Sequence, residues 1–239
     1  LIHNAIEHCG RDIVLSLSCG PTPRDKAEHL CRFANMWRTT GDFWDDWNDL
    51  YHAFAICHQW EGVGGPGHWP DADMLPFGHL AIRANERGWG DRWTHFTQDE
   101  QITLMTLWCI FRSPLMVGAE LNDNDEFTLD LLTNDEVLAL LRDGRNARQV
   151  YREERYNYAG ETIVWQAEDE QGATYCAVFN CGPKARDLAV QLQSALNLPE
   201  GRYVGRDLWE HKEVPVGAHT LEVTVPSHGA RLIKLTRAE

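Results

Sequence analysis

The 239-residue sequence has no apolar run long enough to cross a bilayer and no basic amphipathic helix, so no membrane partner is expected. Positive charge is scarce: 22 Lys and Arg stand against 36 Asp and Glu, a formal net charge of −14. Such a surface repels phosphate backbones, which argues against nucleic acid as a partner and leaves neutral ligands such as sugars open. No two of the seven cysteines (Cys9, Cys19, Cys31, Cys57, Cys109, Cys176, Cys181) have C-x-x-C spacing, which argues against a zinc knuckle or a redox motif. Their odd number and irregular spacing fit buried free thiols better than a disulfide framework. His58, His68 and His79 lack metal-ligand spacing, the loop from Gly62 to Gly67 lacks the Gly-Lys-Ser/Thr ending of a phosphate cradle, and Asn122-Asp123-Asn124-Asp125 lacks the Gly and distal Glu of a calcium loop.

What is present is the material of an ordered core, with 43% hydrophobic residues and ten tryptophans. The chain opens Leu1-Ile2-His3-Asn4, without Met and in helical pattern, and reads as the continuation of something longer. Up to residue 121, helical and short apolar segments alternate. Strands are expected at 12–18, 34–38, 73–77 and 114–118, and helices at 24–34, 43–57 and after the capping box Thr97-Gln98-Asp99-Glu100. A last helix is expected to open at Thr133-Asn134-Asp135-Glu136 and to end at Asp143-Gly144. Regular strand–helix succession points to parallel α/β units. Beyond Gly144 the period shortens to near-alternation, with β runs at 162–165, 174–179, 187–192, 202–209, 220–225 and 230–235, the pattern of an antiparallel sandwich of six to eight strands.

Chemistry in parallel α/β units gathers at the C-terminal ends of strands. There the sequence places Ser18, then Arg38 and Asp42, then Trp69, Asp71, Asp73 and Met74, then Gly118 and Glu120. Carboxylates and Arg exchange hydrogen bonds with hydroxyls, Trp faces stack on sugar rings, and glycoside hydrolysis needs two carboxyl groups. Sugars therefore head the candidate ligands. Asp45, Asp46 and Asp49 read instead as a solvated helix start, where acids favour the dipole.

Four segments in order resemble the melibiase family, glycoside hydrolase family 27. Ile13-Val14-Leu15-Ser16-Leu17-Ser18 is similar to its fifth barrel strand, Met36-Trp37-Arg38-Thr39-Thr40-Gly41-Asp42 to the sixth, Trp69-Pro70-Asp71-Ala72-Asp73-Met74-Leu75 to the seventh and Ser113-Pro114-Leu115-Met116-Val117-Gly118-Ala119-Glu120-Leu121 to the eighth. The tail, with Tyr203-Val204-Gly205-Arg206-Asp207-Leu208-Trp209 and Val225-Pro226-Ser227-His228-Gly229, resembles the family's C-terminal sandwich. Pro70 and Ala72 depart from the family's usual Asn and Pro, and the stretch 81–96 is longer than expected and could cover the site.

The resemblance implies the C-terminal half of a (β/α)8 TIM barrel over residues 1–145, strands five to eight, followed by an antiparallel β-sandwich over 146–239. It implies retaining hydrolysis of terminal α-D-galactosides or α-N-acetylgalactosaminides, with β-L-arabinopyranosidase or isomaltodextran-cleaving activity as variants and a non-catalytic sugar-binding relative as the alternative. Asp42 would be the general acid/base; Arg38 would bind the sugar and bias the ionisation of Asp42; Asp73 and Met74 would line the sugar site. Ser18 would lie where the family senses the substituent at C2, a small residue favouring an acetamido group. The family's nucleophile lies on the fourth strand, ahead of Leu1, so the isolated piece is expected to be inactive. No cofactor or metal is implied, because two carboxylates suffice.

Overall fold

The computed structural model describes residues 1–83, 90–153 and 161–238. Its first part runs α1 (Ile2–Cys9), β1 (Ser16–Leu17), a 3-10 turn (Arg24–Lys26), α2 (Ala27–Phe33), β2 (Met36–Arg38), α3 (Trp47–Gln59) and β3 (Trp69–Asp71). These three strands form a parallel sheet in the order β1-β2-β3, with Ser16 opposite Met36 and Trp37 opposite Pro70. Parallel neighbours need crossovers, and α2 and α3 supply them. Trp37 is fully buried against Trp60 at the end of α3, with Leu30 and Ala34 alongside.

Several boundaries differ from the sequence reading. The strand expected at 12–18 is only Ser16–Leu17, which pairs with β2 on one side alone among the described residues. The strand expected at 73–77 sits earlier, at Trp69–Asp71, because Asp73 takes a left-handed φ of 82° that breaks extension. Beyond that kink Leu75 makes one parallel bridge to Val117, so the strand expected at 114–118 is reduced to that bridge. The helix expected from residue 43 starts at Trp47, because Asp46 caps it by accepting from the Asn48 N–H, leaving 39–46 as a loop.

β4 (His79–Leu80), just before the long 81–96 stretch, and β5 (Arg92–Trp93), within it, pair antiparallel; part of the stretch between them lies outside the described residues. α4 (Gln98–Phe111) opens at the expected capping box, with the Thr97 and Glu100 side chains each accepting from the other's backbone N–H. It is buried on nearly every face, since helices α3 (Trp47–Gln59) and α6 (Asp135–Asp143), the segment after β3 and the strands of the second part all pack around it. A 3-10 turn (Leu121–Asp123), α5 (Glu126–Thr133) and α6 (Asp135–Asp143) follow. Thr133 ends α5 and does not open α6; Asn134 caps α6 by accepting from the N–H groups of Glu136 and Val137.

The second part holds β6 (Arg145–Arg152), β7 (Thr162–Glu168), β8 (Thr174–Asn180), β9 (Arg186–Gln191), β10 (Tyr203–Asp207), β11 (Lys212–Val214), β12 (Thr220–Val225) and β13 (Ala230–Arg237). Six form an antiparallel sheet in the order β11-β10-β13-β8-β7-β6, faced by the pair β12-β9. Alternation divides the larger sheet's side chains. Ile163, Trp165, Tyr175, Ala177 and Phe179 join the core shared with α3 and α4, while Val164, Cys176, Val178, Ile233 and Leu235 meet Val190, Leu221 and Val225 of the smaller sheet. The buried-thiol reading holds for Cys57, Cys109, Cys176 and Cys181; Cys9 and Cys19 are exposed and Cys31 is half-buried.

Candidate active site

Because β1, β2 and β3 run parallel, Ser18, the 39–46 loop and Asp73 all follow strand ends on one edge of the sheet. The loop leaves β2 tied to its neighbour: the Thr39 N–H (2.9 Å) and hydroxyl (3.0 Å) both donate to the Asp71 carbonyl. Arg38 then turns its guanidinium across the strand ends. Its Nη2 lies 2.6 Å from Oδ2 of Asp73, 3.1 Å from Oδ1 of Asp42 and 2.8 Å from the Gly41 carbonyl. Arg38 Nε is buried without a hydrogen-bond partner among the described residues.

Asp73 works in several directions at once. Oδ2 also accepts from the Phe43 N–H at 2.7 Å, Oδ1 accepts from the Met74 N–H at 2.7 Å, and its carbonyl accepts from the Trp108 indole. Its own N–H donates to Oδ1 of Asp71 at 2.8 Å. Asp71 thus braces the strand end, and burial pushes its carboxyl above the ordinary value, opposed by that hydrogen bond and by Arg38.

The candidate residues differ sharply in exposure. The Asp42 side chain is 88% exposed, whereas those of Arg38 and Asp73 are 12% and 13% exposed. Asp42 thus faces solvent at the rim of a half-buried ion pair. It lines a cleft of about 420 Å³ with Thr40, Trp44, Asp49, His52 and Ile56. Met74 packs against Gly118, where an added Cβ would fall 2.2 Å from the Met74 sulfur. Ser18 is exposed beyond β1, and no contact joins it to the Arg38 cluster among the interactions described. Among the described residues, no group of three or more His, Cys, Asp or Glu side chains is placed to hold a metal ion.

One reading of the sequence is overturned here. Asp45 is not solvated: its carboxylate is buried and takes Arg92 Nη2 at 2.5 Å, Arg92 Nε at 3.2 Å and the His95 N–H at 2.8 Å. The partner lies 47 residues away on β5, so no local pattern around Asp45 could reveal it. Asp46 is the α3 cap and Asp49 lies in its first turn, which suits the helix-start reading for those two.

A parallel layer with carboxylates at its strand ends, backed by an antiparallel sandwich, matches known proteins along the whole chain. The family model for alpha galactosidase A matches residues 1–143, and that for the alpha galactosidase C-terminal beta sandwich domain matches 159–235. The chain belongs to the melibiase family, glycoside hydrolase family 27. It is 28% identical over 236 residues to alpha-galactosidase 2 of Arabidopsis thaliana, covering 98% of this chain and 54% of that protein. A family 27 β-L-arabinopyranosidase from Geobacillus stearothermophilus superposes with a TM-score of 0.93 at 49% identity, covering 99% of this chain and 53% of that one. A candidate alpha-N-acetylgalactosaminidase from Bacillus halodurans superposes with a TM-score of 0.80 at 38% identity, over 99% of this chain and 53% of that one. The chain therefore spans about half the length of the relatives it matches. Its fold is that of part of a TIM barrel followed by a β-sandwich.

Proposed function

We propose that this chain supplies the acid/base side of a retaining glycosidase that cleaves terminal sugars of the α-galactopyranosyl configuration. The carrying observation is the Arg38 guanidinium, which joins solvent-facing Asp42 to half-buried Asp73 at adjacent parallel strand ends. Asp42 protonates the departing glycosidic oxygen and then takes a proton from the attacking water; a second carboxylate, on another strand of the whole protein, forms the covalent intermediate. Arg38 and Met74 border the sugar. Asp73 already accepts from Arg38, Phe43 and Met74, so its main work is to hold Arg38 and the Asp42 loop, with any sugar contact made by remaining lone pairs.

Three glycones fit this reading. α-Galactosides and α-N-acetylgalactosaminides follow from the motifs, and exposed Ser18 favours the second. A β-L-arabinopyranoside has the ring configuration of an α-galactoside without the exocyclic CH2OH, and the 49% identity to a β-L-arabinopyranosidase favours it as the specific substrate. Parallel assays of the full-length protein on the p-nitrophenyl glycosides of all three decide among them. The expected result is the highest kcat/KM on the β-L-arabinopyranoside, and hydrolysis of none would defeat the reading.

A further inference from the structure

The loop that carries Asp42 has two anchored ends, and only the first belongs to the Arg38 cluster. At that end Arg38 holds the Gly41 carbonyl and Asp73 holds the Phe43 N–H, one on each side of Asp42. Phe43 is buried between Phe96 and Trp108, with ring centroids 6.2 and 5.1 Å away. At the other end the loop is closed by Asp45. Its carboxylate is engaged by both faces of the Arg92 fork and by the His95 N–H, while the Arg92 guanidinium also lies 5.7 Å over the Trp44 ring. A buried carboxylate is retained only where charge and hydrogen bonds compensate its desolvation, and this one is compensated entirely from the β5 side of the hairpin. Trp44 lies between the two anchors, in the wall of the cleft that Asp42 enters.

We infer that Asp45 is a positioning residue for the acid/base: its ion pair with Arg92 ties the β4–β5 hairpin to the 39–46 loop and so fixes the reach of Asp42, and the placement of Trp44, toward the leaving group. The inference rests on the acid/base reading of Asp42. A proton donor displaced by about 1 Å loses much of its effect, but only for leaving groups that need the proton. A residue that merely stabilised the fold would instead depress all substrates alike.

The test is leaving-group dependence in the full-length enzyme. Asp45→Asn, Arg92→Lys and, as control, Asp42→Asn are compared with the parent on a dinitrophenyl glycoside, whose phenolate leaves unaided, and on an alkyl glycoside, whose alkoxide does not. For Asp45→Asn and Arg92→Lys we expect kcat/KM, which reports the glycosylation step alone, to fall by on the order of ten- to a hundredfold on the alkyl glycoside, with a change of less than about threefold on the dinitrophenyl glycoside; all losses are compared in kcat/KM, because deglycosylation needs the same residue as base and lowers kcat on both. Equal losses on both substrates, or no loss on either, would overturn the inference while a selective loss in Asp42→Asn kept the acid/base reading intact. Should Asp42→Asn show no selective loss, the acid/base reading falls first and the positioning role falls with it. Circular dichroism and thermal unfolding of each variant separate misfolding from mispositioning, and the milder Arg92→Lys retains the charge if Asp45→Asn fails to fold.

Discussion

Arg38 Nη2 lies 2.6 Å from Asp73 Oδ2, an ion pair that crosses from β2 to the turn after β3 with both side chains almost out of solvent. Breaking a buried pair by removing one partner costs about 3–5 kcal/mol, because the remaining charge is stranded. Asp73→Ala leaves Arg38 only the exposed Asp42 carboxylate and the Gly41 carbonyl and releases the Phe43 and Met74 N–H groups, so its loss of stability should lie near the lower end of that range, about 3 kcal/mol. Urea unfolding measures it, and a loss below about 1 kcal/mol would show that water or another residue replaces the carboxylate.

Gly118→Ala should disturb the same site from the far side. Its Cβ would fall 2.2 Å from the sulfur and 3.0 Å from Cγ of Met74, so the methionine has to move. Overpacking of this kind costs about 1–3 kcal/mol. On the proposed reading, in which Met74 borders the sugar, its displacement should raise KM more than it lowers kcat. Met74→Ala in the same chain removes the clash, so the double variant should be more stable than the sum of the two single changes predicts.

His79 is held between Asp91 and Asp123, at 2.5 Å on each ring nitrogen, and stacks on Trp93. Its hydrogen bonds to Asp91 and then Asp123 raise its pKa above the ordinary 6.5. A folded-state pKa above the unfolded value gives stability that is complete below about pH 6.5 and is lost as pH rises through the folded value. The thermal stability of the parent relative to His79→Gln should therefore be greatest in mildly acidic buffer and decline in alkaline buffer. A difference that stays constant with pH would show that the imidazolium is not what the two aspartates hold.

Glu136 has the opposite sign. Hydrogen bonds from Arg206 and, less strongly, His211 lower its pKa from 4.5 to about 2. That stabilisation is present above pH 4.5 and fades toward pH 2, so the advantage of the parent over Glu136→Gln should shrink as acid is added in this window. Acid-unfolding midpoints of the two proteins check it.

The parts of this architecture legible in the sequence are those whose cause is local. The Thr97–Glu100 capping box needs only its own four residues, and the two-residue period is carried by strands such as β9, β10 and β12 that keep one face toward solvent, whereas β7 and β8, buried on both faces, read as near-continuous apolar runs. The parallel strands were less legible. Their extents depend on partners and on the left-handed turn at Asp73, which no hydrophobic pattern encodes. Thr133 fits a capping pattern as well as Asn134 does, and only the end of α5 decides between them. Asp42, Arg38 and Asp73 could be singled out because strand ends are where α/β chemistry gathers. Asp45 could not, since its meaning lies in Arg92 and His95, far along the chain.

Chemical rescue of Asp42→Gly in the full-length protein tests the central claim most directly. On a dinitrophenyl glycoside, the variant should form its covalent intermediate and then stall, because no base activates water. Added azide needs no base, so turnover should recover by on the order of tenfold or more and yield a glycosyl azide of the substrate's own anomeric configuration. Undiminished turnover in the variant without azide, or an azide product of inverted configuration, would contradict the assignment of Asp42 as acid/base of a retaining enzyme.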